Sequence, residues 1–163
     1  MAIEFAVVAV PFVYMLVAII ELSMMFTSAS LLESSTSAAS RQIRTGAIQE
    51  AADTPAAQEA LFRNVLCERA SVLMDCDEIQ VESVNIGAFG SYQDFLPQLD
   101  GDGNLVSQGF DAGGVSDVIL VRTFYRYNFM TPLIGQFLGE GLTGTRAFMS
   151  TIVLQTEPYE FVL

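Results

Sequence analysis

Histidine, lysine and tryptophan are absent from the 163 residues, and seven arginines stand against 19 acidic side chains. Without histidine there is no Ser–His–Asp or Cys–His arrangement for nucleophilic catalysis, no imidazole metal site and no ordinary neutral-pH base. A carboxylate-pair hydrolase is still open in principle, but the spacing of the acids singles out no pair. The shortage of cations leaves a net charge of −12. A surface of that sign repels nucleic-acid phosphates and anionic lipid headgroups, so nucleic acid is not an expected partner. The charge is unevenly spread. Residues 1–50 hold four Glu and two Arg, and the remaining 113 residues carry −10.

Apolar side chains are what the chain has in quantity, at 52% of residues and a mean hydropathy of +0.44. The excess lies at the N-terminus. Residues 5–20, FAVVAVPFVYMLVAII, hold 15 apolar residues and one proline, with Glu4 before the run and Glu21 after it. LSMMF then carries the apolar character to Phe26. Twenty-two helical residues extend about 33 Å, which suits a bilayer core of about 30 Å. The run is apolar all round, unlike the stripe of a surface helix. No basic residue precedes Arg41, so the run does not read as a secretory signal peptide. Pro11 removes the helical partner of the Val7 carbonyl and should kink or loosen that turn, which membrane helices tolerate where neighbours compensate.

Residues 27–40 contain eleven Ser, Thr or Ala out of fourteen, with no Gly or Pro. They read as the same helix leaving the membrane, with small side chains that let helix backbones approach closely. The helix should end between Gly46 and Asp53. Thr54–Pro55 supplies an N-cap and a proline at the first helical position. The second helix should run to about Met74 with Leu61, Val65, Val72 and Leu73 on its apolar face. Ile79–Ala88 reads as a strand and Gly87–Gly114 as mostly loop. Val118–Phe129 is the clearest strand, with Ile119, Val121, Thr123, Tyr125, Tyr127 and Phe129 on one face and Arg122, Arg126 and Asn128 on the other. Residues 131–144 suit an apolar loop or short helix, and Arg146–Leu154 a further strand. The expected fold is α+β, with a long N-terminal membrane or filament helix, a shorter helix and a small antiparallel sheet. Residues 1–50 form the hydrophobic helix and its extension, and residues 51–163 the acidic head.

On one continuous helix Cys67 and Cys76 would stand about 13 Å apart along the axis, too far for a disulfide. A helix stop near Met74 lets residues 75–76 fold back, and the bridge would then stabilise by roughly 2–3 kcal/mol in an oxidising compartment. Two buried thiols or a pair of metal ligands are the alternatives. Asp100, Asp102, Asn104 and Asp111 mimic the oxygen spacing of a calcium loop, but Leu105 stands where that loop needs glycine and Asp111 where it needs a bidentate Glu. An exposed Asp-Gly turn with no cofactor is the simpler reading.

The segment AIEFAVVAVPFVYMLVAIIEL resembles the membrane helix of TadE-like pseudopilins of the Tad (tight adherence) pilus system, which are type IV pilin-like. Glu4-Phe5, Pro11 and Ile20-Glu21-Leu22 carry the resemblance. It extends more weakly through the cysteine segment, FDAGGVSDVILVRTFY (110–125), Thr131-Pro132-Leu133 and TIVLQTEPY (151–159). The resemblance implies cleavage by a prepilin-type peptidase and assembly through the N-terminal helix with copies of itself and other pilin-like subunits. It also implies an inner-membrane anchor with a periplasmic head, then a place in a cell-surface pilus. The family pattern puts the glutamate fifth in the mature chain, where it pairs with a neighbour's terminal amine. Glu4 is fourth here, so this sequence does not place the cleavage site.

A carboxylate in hydrocarbon costs several kcal/mol unless paired, and the first side-chain cation after Glu4 is Arg41. Glu4, Phe5, Pro11 and Glu21 are therefore the candidate assembly residues. For Glu4 the alternative is a carboxylate reaching back to the interface. For Glu21 it is an interfacial position or a pairing along the helix. The expected function is non-enzymatic: a filament or pilus-assembly subunit. The alternative is a membrane-anchored extracytoplasmic binding module, with calcium one candidate ligand.

Overall fold

The computed structural model describes residues 2–87, 95–140 and 144–158, and all side chains among them except those of residues 2, 3 and 132. The expected α+β architecture is present. In chain order the elements are α1 (Ala2–Arg44), α2 (Ala47–Ala51), α3 (Pro55–Ala70), β1 (Gln80–Asn85), β2 (Val118–Asn128), α4 (Pro132–Leu138) and β3 (Thr145–Gln155), with a 3₁₀ turn at Cys76–Glu78 before β1. The three strands form one antiparallel sheet in the order β1-β2-β3.

At 43 residues, α1 is about 65 Å long at ~1.5 Å per residue. Pro11 sits inside it without ending it. The helix stops at Gly46, whose φ of 79° is the left-handed conformation glycine adopts without steric penalty. Its two halves differ. Phe5, Val10, Ile20 and their neighbours are exposed, whereas Met25, Leu32, Ala39 and Ile43 are buried in the head. Those four recur at helical spacing, with Ser28, Ser35 and Thr36 buried between them. Five of the eleven small residues of the 27–40 stretch are thus buried inside their own chain, and the folded head includes the second half of α1. Thr36 Oγ1 lies 2.6 Å from Thr123 Oγ1, a buried hydroxyl contact that ties the helix to the central strand.

Thr54 caps α3 as expected, its hydroxyl accepting from the Ala57 amide at 3.3 Å, with Pro55 opening the helix. The apolar face of α3 is not the expected one. Phe62, Leu66 and Ala70 are buried, Leu61 and Val65 are partly buried, and Val72 lies exposed beyond the helix end at Ala70. Phe62 meets Phe110 at a ring separation of 5.5 Å. The early stop brings Cys76 back to Cys67, and the two form a disulfide with Cα atoms 5.8 Å apart.

Both faces of β2 are buried, which its alternating pattern did not foretell. Ile119, Val121 and Thr123 face the helices, and Leu120, Arg122 and Phe124 are covered as well. The segment 105–111 runs along β1. Ser83 exchanges backbone bonds with Gly109 and Asp111, Ser107 Oγ donates to the Val81 carbonyl, and the Leu105 amide donates to Gln80 Oε1. This occupies a sheet edge that would otherwise be open to pairing. Arg122, expected on a polar face, is instead in a buried ion pair with Glu82, its cross-strand neighbour.

Candidate assembly interface

Glu4 and Phe5 stand near the start of α1, and both are exposed, Phe5 to 75%. Pro11 is exposed within the same bare stretch. From residue 4 to residue 20 no side chain of α1 is buried, because the head begins to cover the helix only at Glu21. The result is an all-round apolar rod projecting from an acidic head. Among the described residues α1 is the one helix long and apolar enough to cross a membrane by length and composition.

Glu21 is placed quite differently. Its side chain is buried, at 4% exposure. Oε1 accepts from the Met130 amide at 2.5 Å, and Oε2 accepts from the Thr131 amide at 3.0 Å and the Thr131 hydroxyl at 2.6 Å. Thr131 is the N-cap residue of α4, and its hydroxyl makes no bond to α4 itself. The carboxylate thus occupies donors at the mouth of α4, where negative charge is favoured. Tyr127 lies close by, and burial, followed by the charge of Glu21 and then Tyr125, pushes its phenol above the usual tyrosine pKa. The structure therefore separates the sequence candidates. Glu4, Phe5 and Pro11 share the bare half of α1, and Glu21 joins α1 to the head.

Sequence reasoning missed Met130 and Thr131 because they lie 109 and 110 residues from Glu21. The sequence offered one signal, an N-cap threonine before a proline. It says a helix starts there without saying what approaches it. Gly139 holds α4 close to the rest of the junction. A methyl group there would stand 2.5 Å from the Gly135 carbonyl oxygen and 2.8 Å from the Gly144 backbone.

The calcium-like residues fall into two separate arrangements. Asp100 Oδ1 accepts from the Asp102 and Asn104 amides at 2.9 and 2.8 Å, and Oδ2 accepts from the Asn104 side chain at 3.3 Å. Asp111 is used elsewhere, accepting from the Gly113 amide at 2.8 Å, while its backbone bonds to Ser83. Asp100 therefore closes its own turn. Among the described residues no group of three or more His, Cys, Asp or Glu is gathered as for a metal ion.

Residues 1–41 match the family model described as TadE-like protein. The N-terminal segment is TadE-like. The match runs through the bare half of α1 and most of the half buried in the head, and stops three residues short of the helix end. No curated protein and no solved structure matches the chain. Through this segment the chain is similar to the TadE-like family, and the match leaves the rest of the head uncovered. Its apolar helix is of the kind that anchors in a membrane, and its head carries one disulfide among the described residues.

Proposed function

We propose that the chain is a structural subunit, a pilin or pseudopilin, of a Tad-type pilus or its assembly complex, and that it assembles through the N-terminal half of α1. The observation that carries this reading is the bare rod of residues 5–20, which the chain's own head leaves uncovered. Such a surface is unfavourable in water. A bilayer satisfies it first, and the same half of neighbouring copies satisfies it in a filament. Glu4 sits where the rod begins, and a neighbour's terminal amine is the cation that would make its burial tolerable. Phe5 and Pro11 belong to the same contact surface. Glu21 is spent on the head and acts in assembly by holding the rod at a fixed angle to it. The head lies in the periplasm before assembly and on the cell surface afterwards.

Glu4→Ala is the test. Membrane fractions should contain the variant at the normal level, and sheared surface material should lack it. Normal filaments from the variant would remove the pairing role of Glu4. Parent protein that stays in the membrane and never appears in surface material would favour the anchored binding module.

A further inference from the structure

Three observations at the junction of α1 with the head converge on one surface. The first is depth. A bilayer core of about 30 Å takes about 20 helical residues, so a span entered at Phe5 runs to about residue 24, with Glu21 inside its last turn. The second is shielding. At that depth a bare carboxylate is costly, and the Met130–Thr131 segment brings three donors to it. The head must then reach down to the level of Glu21. The third is what this segment shows on its outside. Met130 is 76% exposed, Leu133 55% and Phe137 82%, and residues 129–139 carry no charge. At the far end of α4, Arg146 donates to the Leu138 carbonyl at 3.3 Å, placing a cation at the margin of the patch.

We propose that Met130 and α4 form a second, shallow membrane contact, lying in the boundary between headgroups and acyl chains beside the exit of α1. The occupant is lipid. The patch is continuous, through Glu21, with the part of α1 that enters the bilayer. A short uncharged apolar segment, with Glu140 and Arg146 both at its far end, can settle about 5–10 Å into that boundary as an interfacial element. The contact sets the height and tilt of the acidic head above the membrane. It rests on the reading that α1 spans a membrane before assembly.

The absence of tryptophan from the chain makes a single introduced indole an unambiguous reporter. Three full-length variants, Phe137→Trp, Phe12→Trp and Val115→Trp, would be reconstituted separately in vesicles of three parts phosphatidylcholine to one part phosphatidylglycerol. The phosphatidylcholine would be brominated either near the ester end or near the methyl end of its chains. Phe137 and Val115 are both exposed, and Val115 lies near the opposite end of β2 from Met130. Phe137→Trp should shift to shorter wavelength and lose emission chiefly to bromine near the ester end. Phe12→Trp should lose emission to bromine near the methyl end, and Val115→Trp should keep the emission of an indole in water. Quenching of Phe12→Trp without quenching of Phe137→Trp would overturn the α4 contact and leave the span standing. Quenching of neither would overturn both. A Phe137→Trp blue shift that grows with protein density, without bromine quenching, would assign the patch to a second copy and overturn the lipid contact.

Discussion

Removing Arg122 alone should destabilise the head more than removing its charge together with that of Glu82. The pair lies directly across β1 and β2. Arg122 Nη1 donates to Glu82 Oε2 at 2.6 Å, and the two side chains are 4% and 1% exposed. The second guanidinium nitrogen, Nη2, donates to the Phe95 carbonyl at 2.5 Å, and the second carboxylate oxygen accepts from the Gln108 amide at 3.0 Å. Among the described residues Arg122 Nε has no partner. Breaking a buried pair from one side strands a charge and costs about 3–5 kcal/mol. Against a typical total of about 5–15 kcal/mol, that is a large share.

Arg122→Met keeps most of the side-chain volume and leaves the Glu82 carboxylate with the Gln108 amide as its remaining donor among the described residues. At about 2–4 °C per kcal/mol for a chain of this size, the expected fall in Tm is about 6–20 °C. In Glu82→Gln/Arg122→Met both charges are gone and the amide oxygen of Gln can still accept from Gln108. Both variants take the donor from the Phe95 carbonyl, and that penalty of about 1–3 kcal/mol is what remains once no charge is stranded. The double variant should therefore recover about 2 kcal/mol relative to Arg122→Met. Thermal and urea unfolding of the full chain in detergent micelles, followed by far-UV circular dichroism, measures both. A double variant no more stable than the single one would refute the reasoning, because stranded charge would not then be the source of the cost.

Two more predictions concern the disulfide and the Asp100 turn. Replacing both cysteines with serine should lower stability by about 2.5 kcal/mol, the loop-closure value for a bridge between residues nine apart. Unfolding of this variant beside the oxidised parent checks it, and an unchanged midpoint would contradict the value. The Asn104 amide, with smaller help from its side chain and the Asp102 and Gly103 amides, holds the Asp100 carboxyl below its ordinary value of 3.8. A depressed folded-state pKa means the turn is favoured above 3.8 and loses this support as pH falls through the lower folded value. The Asp100 side-chain carbon resonance should accordingly titrate below 3.8, and a midpoint at or above it would remove the turn-closing role.

What could be read in the sequence was whatever is decided locally. The rod follows from fifteen apolar residues in sixteen, and its continuation from the lack of Gly or further Pro before Gly46. Thr54–Pro55 marks α3, and the helix stop before Cys76 makes the bridge geometrically feasible. What stayed hidden depends on chain brought in from far away. Arg122 reads as a polar-face residue until Glu82, 40 positions earlier, and the 95–108 segment close over it. Ser28, Ser35 and Thr36 read as a close-packing stripe for another helix, yet they are buried beneath their own sheet and α3. Nothing in residues 27–40 distinguishes those two partners, because small side chains serve any close approach. Phe62 and Leu66 do not stand out in the sequence because α3 is weakly amphipathic, with Leu61 and Val65 beside them offering an equally good face.

In the proposed filament the two glutamates that bracket the rod take opposite mechanical roles, and their separation joins them into one device. Glu4 and Glu21 are seventeen positions apart, about 25 Å of helix. Below Glu21 the helix is bare. From Glu21 onward it is built into the head by the Met130–Thr131 bonds, the Thr36–Thr123 contact and the buried face through Ile43. Rod and head therefore turn together above the Glu21 level. In the filament reading, whatever fixes Glu4 against a neighbour fixes the height of each head by an unbroken helix, without strong contacts between the heads. An acidic surface that repels its own copies is compatible with assembly only if order is imposed in this way. Loss of the Glu21 bonds would leave the rod able to insert and to pack. It would also free the α4 end of the head from the rod, so the Thr36–Thr123 contact and the buried face through Ile43 alone would carry the register upward.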